Sequence, residues 1–424
     1  MREETSRWIE GDKAHCWHPF TRQAEWCARD HDPLVIVRGE GAWLWDSEGR
    51  KYLDGNSSIW TNIHGHAHPA INAAISAQLE KVAHTSFLGF THSLATELAE
   101  RLCGFFPEKT LERVFFSDDG STAVECALKM AVQYRQQTGE PERGGFVAFS
   151  NGYHGDTLGA ASLGGVGRFF ERFRGTGYPV RHVATLDELR SLESQEIAAV
   201  VIEPLIQGVN EMRPWPAGML AELRAWCDEN GVHLILDEVM TGFGRTGTLF
   251  ACQRENVIPD FLCLAKGLTG GYLPLAATLT TGKIYDAFLG GAERAFYYGH
   301  SYTANPLGCA AAIASLDVFE AEKTLEHLPG KIDRLATGLA SLKSRHPIVH
   351  EIRQCGFVAG IELRRADGEK FPPRERFGES ICLAARAHGL LTRPILDTVV
   401  LLLPLCTTLE EIDHAVGALD AVLS

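Results

Sequence analysis

The sequence predicts an α/β protein: a large domain built on a mainly parallel sheet flanked by helices, followed by a smaller α/β domain. Short apolar segments alternate with amphipathic ones through the middle of the chain, the pattern of parallel strands joined by crossover helices. A length of 424 residues with 45% apolar content allows two or three domains and a large core. From about Asn305 the pattern changes to a long apolar helix followed by mixed strands and helices.

Taken in order, residues 41–53, GAWLWDSEGRKYL, alternate apolar and polar positions around a Ser-Glu-Gly turn and predict a β-hairpin. A turn-rich stretch, Asp54 to Pro69, follows. From Ile71 to about Phe106 apolar residues recur at three and four spacing, in INAAISAQLEKV and LATELAERLCGFF, which predicts helix. The alternation then runs through the strand RVFFS, a helix from about Ser121, the strands GFVAFS and IAAVVIEP, the helix AGMLAELRAWCDEN, and the strands GVHLILDEV and FLCLAKG. The last region opens on ANPLGCAAAIASLDVFEAE and contains GFVAGIEL and TVVLLLP. The expected division is an N-terminal segment, 1–65, packing with the small domain, a large ligand-binding domain, 66–304, and a C-terminal small domain, 305–424.

A formal charge of −14 with no Lys/Arg run argues against nucleic acid or an anionic membrane as partner and favours small-molecule ligands. The opening stretch, MREETSRWIEGDKAHCWHPF, has mixed charges and no apolar core, so no secretory leader is expected, and no apolar run reaches membrane-spanning length. A cytoplasmic protein is expected. Eleven cysteines, scattered from Cys16 to Cys406 without CxxC pairs, fit reduced thiols in core positions rather than disulfides or metal ligands.

The chemistry gathers at strand ends, where ligands of such sheets bind. Asp237 closes the apolar strand GVHLILD, and a carboxylate there is costly unless it meets a cation. Alone, it reads more readily as a capping or ion-paired residue at a strand end. Lys266 closes the next apolar strand, DFLCLAK, 29 residues later, ahead of the glycine-rich GLTGGYLP. By itself it is a solvated strand end; with Asp237 at the same sheet edge it becomes one of a functional pair. In FFSDDGSTAVECALKMA a strand turns at Gly120 and Ser121 into a helix, a geometry that offers free amides to a phosphate and is also that of an ordinary N-cap. Tyr153, in NGYHGDT, can stack on a ring, and Arg393, in LLTRPILD, can take a carboxylate or make a surface salt bridge.

A lysine, a carboxylate, an anion cradle and an aromatic face together are what pyridoxal 5′-phosphate requires. Desolvation and a cationic cofactor would lower the Lys266 pKa and make its amine a proton shuttle. No GxxxxGK[ST] loop or zinc-ligand cluster competes, and GFGRTG at 242–247 lacks the preceding strand and following helix of a dinucleotide site.

With LILDEVMTGFGRTG at 234–247 and a lysine about thirty residues on, the chain resembles the class III aminotransferases over nearly its whole length. The segments WHPFT (17–21), DGNSSIWTNIHGHAHP (54–69), NGYHGDT (151–157), GRTGTLFAC (244–252), LAKGLTGGYLPLAATLTT (264–281) and LTRP (391–394) narrow the likeness to members that aminate 8-amino-7-oxononanoate in biotin biosynthesis. The resemblance implies fold-type I architecture with pyridoxal phosphate on Lys266, Asp237 at its ring nitrogen, Gly120 and Ser121 at its phosphate, and Tyr153 at cofactor and substrate. It further implies Ile59, Trp60 and Gly299 at the substrate and Arg393 on the substrate carboxylate. GHSYTANP would bring His300 and Ser301 to the neighbouring subunit's cofactor phosphate, hence an obligate homodimer.

The members that use S-adenosylmethionine have Tyr where Phe20 stands, Trp where Ile59 stands, and Pro-Thr where His300 and Ser301 stand. Loss of a phenol and an indole changes the pocket that sorts donors, so S-adenosylmethionine and L-lysine both remain open as the amine donor. The shared cofactor residues also leave an ornithine- or 4-aminobutyrate-type ω-aminotransferase as an alternative.

Overall fold

The computed structural model describes Met1–Ser424. Its centre is a seven-stranded sheet in the order Leu111–Ser117, Ala276–Thr281, Phe261–Leu264, His233–Asp237, Ile197–Ile202, Gly145–Phe149, Val180–Val183. Only Ala276–Thr281 runs against its neighbours. Every residue of Ile197–Ile202 and of His233–Asp237 is buried, because helices cover both faces. Alternation sends Leu234 and Leu236 into one core and Ile235 into the other, where the helix Gly120–Gln137 packs.

The hairpin forms as expected, with Trp43 opposite Leu53 and Trp45 opposite Lys51. It belongs to a four-stranded sheet whose far members are Ile36–Glu40 and Leu390–Leu391, the latter parallel to Lys51–Asp54. Near the C-terminus a second four-stranded sheet, antiparallel throughout, is ordered Val349–Cys355, Val358–Leu363, Thr398–Leu401, Pro394–Ile395. The apolar helix Pro306–Ala321 lies against Pro69–Leu79, Ser93–Gly104 and Thr324–Arg345, which explains its burial nearly all round.

Several expectations need correction. The stretch Ile71 to Phe106 is not continuous helix: Pro69–Leu79 and Ser93–Gly104 are separated by an irregular segment in which Leu88 and Phe90 are exposed and Gly89 has φ +78°. Two strands of the central sheet, Val180–Val183 and Ala276–Thr281, were not expected from the pattern. The strand His233–Asp237 does lead toward GFGRTG, but turns and the short 3-10 segment Ala251–Glu255 follow in place of a long helix. All eleven cysteines are free, and Cys16 and Cys27 are exposed rather than in the core. No helix is long and apolar enough to cross a membrane.

Candidate active site

Register places the strand ends at one edge. Leu236 pairs with Ile202 on one side and Leu262 on the other, so the residues after each strand emerge together. A cavity of about 390 Å³ opens there, lined by Trp60, Gly120, Ser121, Tyr153, Asp237 and Lys266 among others.

Lys266 follows Phe261–Leu264 with φ +44°, an unfavourable conformation of the kind retained at functional sites. Its Nζ lies 4.9 Å from the centre of the Trp60 ring. Burial pushes its pKa down, against the opposing pull of the Asp237 and Glu203 carboxylates. Asp237 is buried, with Oδ2 2.8 Å from His154 Nδ1 and Oδ1 accepting the Val239 N–H at 3.1 Å.

Gly120 and Ser121 open the helix Gly120–Gln137. Asp119 caps it by accepting the Thr122 N–H at 2.9 Å, while the N–H groups of Gly120 and Ser121 find no acceptor within the chain. Gly155 at φ +124° packs so closely here that a Cβ would lie 2.5 Å from Ser121 Oγ. Tyr153 donates its hydroxyl to Asp156 Oδ2 at 2.6 Å and its N–H to Glu203 Oε1 at 3.2 Å, and burial raises its pKa. Its ring packs against Phe169 and Phe170.

Other expected residues lie outside the cavity of the single chain. Ile59 is exposed at the tip of the turn that carries Trp60. Phe20, also exposed, sets its ring edge-on to Phe169 at 5.4 Å. Arg393 is exposed just before Pro394–Ile395. Gly299 and Ser301 are exposed, and His300 Nδ1 lies 2.9 Å from Asp118 Oδ2 at the cavity wall.

Sequence reasoning missed two buried residues. His154 has a pKa that burial lowers but that the Asp237 bond and the Asp237 and Glu203 charges carry above its usual value. Glu203 accepts the Gly208 N–H at 2.9 Å as well as that of Tyr153, and burial pushes its pKa up to about 7. The signal was a polar residue directly after an apolar strand, in VVIEP, and the histidine next to Tyr153. These groups fit pyridoxal phosphate: open first-turn amides for the phosphate, an oriented buried carboxylate for the ring nitrogen, and an amine under an aromatic face.

Comparison with known proteins agrees. The family profile described as Aminotransferase class-III matches residues 26–423. The adenosylmethionine-8-amino-7-oxononanoate aminotransferase of Geobacter sulfurreducens is 44% identical over 98% of this chain and 97% of its own length. The crystal structure of the enzyme of that name from Methanocaldococcus jannaschii superposes with a TM-score of 0.95 at 39% identity, covering 99% of this chain and 98% of that one. An amine transaminase from an uncultivated Pseudomonas species, solved in a PLP-bound form, gives 0.89 at 36% identity over 96% of this chain and 98% of that one.

Proposed function

The chain belongs to the class III aminotransferases, and on that premise we propose that it aminates the keto carbon of 8-amino-7-oxononanoate to 7,8-diaminononanoate in biotin biosynthesis, with S-adenosylmethionine as donor. The names of its relatives from Geobacter and Methanocaldococcus support this substrate pair. The observation that carries the reading is the single cavity in which Lys266, Asp237, Tyr153 and the open amides of Gly120 and Ser121 meet.

Pyridoxal phosphate, the cofactor of this family, supplies when bound an electron-withdrawing ring that stabilises negative charge beside the transferred nitrogen. Lys266 would hold the cofactor covalently, and once the incoming amine has displaced it, its freed amine, whose pKa burial lowers, would take a proton from the substrate carbon and return it. Asp237, oriented by His154 and the Val239 amide, keeps the ring nitrogen protonated. The amides of Gly120 and Ser121, with the positive end of their helix, bind the phosphate. Tyr153 and Trp60 line the cavity beside these groups.

Ile59, Trp60 and Gly299 contact substrate and Arg393 takes its carboxylate. In a cytoplasmic homodimer, His300 and Ser301 serve the partner's cofactor phosphate. The chain divides at 65 and 304, with the large domain holding the cofactor.

A second reading keeps the acceptor and makes L-lysine the donor. It is favoured by Phe20, which reaches Tyr153 through Phe169 with no hydroxyl of its own, and by the exposed aliphatic Ile59. The test supplies the ketone with either donor and quantifies diaminononanoate. Product with S-adenosylmethionine is the expected result, and product with lysine alone would replace it by the second reading. If neither donor gave product while ornithine or 4-aminobutyrate served as amine source for other acceptors, the choice of acceptor would be wrong.

A further inference from the structure

Two buried polar residues stand outside the cavity and have no part in the reading above. Asp54 is 1% exposed and Asn56 4% exposed, and both lie where the hairpin gives way to the turn before Trp60. Asp54 Oδ2 accepts the Ser58 N–H at 2.7 Å and lies 3.0 Å from His66 Nε2, while Oδ1 accepts the Asn56 N–H at 3.3 Å. Asn56 in turn accepts the Trp60 indole N–H at 3.0 Å and donates to the Ser58 carbonyl at 3.1 Å. Ser57 donates its hydroxyl to the Leu402 carbonyl at 2.6 Å, which anchors the turn to the C-terminal region.

The backbone so held is an unfavourable one. Ser57, Ser58 and Trp60 have φ of +45°, +60° and +66°, and none is glycine. Such conformations persist only where surrounding contacts over-determine them, and they cluster at functional sites. Their result here is the placement of one ring. The Trp60 indole faces Lys266 Nζ at 4.9 Å on one side. On another it lies against Gly208, where an added Cβ would sit 3.1 Å from Trp60 Cζ3.

We infer that Asp54 and Asn56 are positioning residues that act through Trp60, fixing the indole against Lys266 so that its amine meets the incoming substrate in one orientation. The inference rests on the assignment of Lys266 as the transferring residue. Neither Asp54 nor Asn56 touches the reacting atoms.

A double-mutant cycle between Asn56→Ala and Trp60→Phe tests this, read as the single-turnover rate of the pyridoxal-phosphate-loaded protein with its amine donor and as equilibrium binding of pyridoxal phosphate by visible absorbance. Each single substitution is expected to slow the single turnover about tenfold, and the double variant should be no slower than Trp60→Phe alone. Asn56→Asp, which keeps an acceptor for the indole N–H but loses the donor to the Ser58 carbonyl, should recover part of the native rate relative to Asn56→Ala, and Asp54→Asn should behave as Asn56→Ala does. Additive losses in the double variant, or a native rate in Asn56→Ala, would overturn the inference. Should Asn56→Ala fail to fold, Asp54→Asn in the same cycle with Trp60→Phe decides by the same criterion. If the assignment of Lys266 were itself at fault, the visible band would be missing from the unsubstituted protein, an outcome distinct from any failure of the cycle.

Discussion

His154 and Asp237, from strand ends 83 residues apart, share a 2.8 Å hydrogen bond between Nδ1 and Oδ2 with both side chains buried. Burial works against a charged imidazole, but the neighbouring carboxylates outweigh it. Removing the ring leaves Asp237 buried without its partner. His154→Phe is therefore expected to cost roughly 3 kcal/mol of stability by urea denaturation and to weaken pyridoxal phosphate binding in an absorbance titration.

Lys266→Ala is expected to abolish multiple-turnover transamination and the visible absorbance of the covalently held cofactor, while circular dichroism stays native. Retention of both signals in purified variant protein would remove the lysine from its assigned role.

At Ser58, with φ +60° and ψ −88°, glycine relieves a conformation that L residues rarely adopt. Ser58→Gly should add about 1 kcal/mol of stability, seen as a higher urea midpoint. Because the Ser58 N–H bond to Asp54 is retained, cofactor binding should change little.

Burial lowers the His64 pKa to about 3, with the nearby His68 charge adding to the effect. The unfolded chain, with an ordinary histidine value of about 6.5, takes up the proton first as pH falls. This contribution to stability is thus complete above that value and is lost on descent toward pH 3. Between pH 7 and pH 5 the native protein should lose about 2 kcal/mol more than His64→Gln, measured as the difference in their urea-unfolding free energies.

The legible parts of the sequence were those in which local pattern and role coincide. Lys266 and Asp237 could be found because each closes an uncharged apolar strand, and the Gly120 turn because strand, glycine and helix are contiguous. Glu203 and His154 could not be assigned roles, since what they do depends on strand ends meeting across the sheet. Ala276–Thr281 escaped notice because AATLTT, buried at all but its last position, shows no alternation. Val180–Val183 is short and lies at the sheet edge, with little apolar pattern to show. Residues 80–92 misled for the opposite reason: their apolar side chains resemble a helix face, yet Leu88 and Phe90 point to solvent in the single chain.

The pairing of Leu390–Leu391 with Leu53–Asp54 has a consequence for biogenesis. The N-terminal hairpin leaves the ribosome long before its last strand has been translated, and until then Lys51–Asp54 offers a bare edge to any chain nearby. Nascent chains cut short before residue 390 should accumulate as aggregates even though the central sheet is already complete, and a holdase present during synthesis should rescue the full-length product more than the isolated hairpin's own stability would suggest.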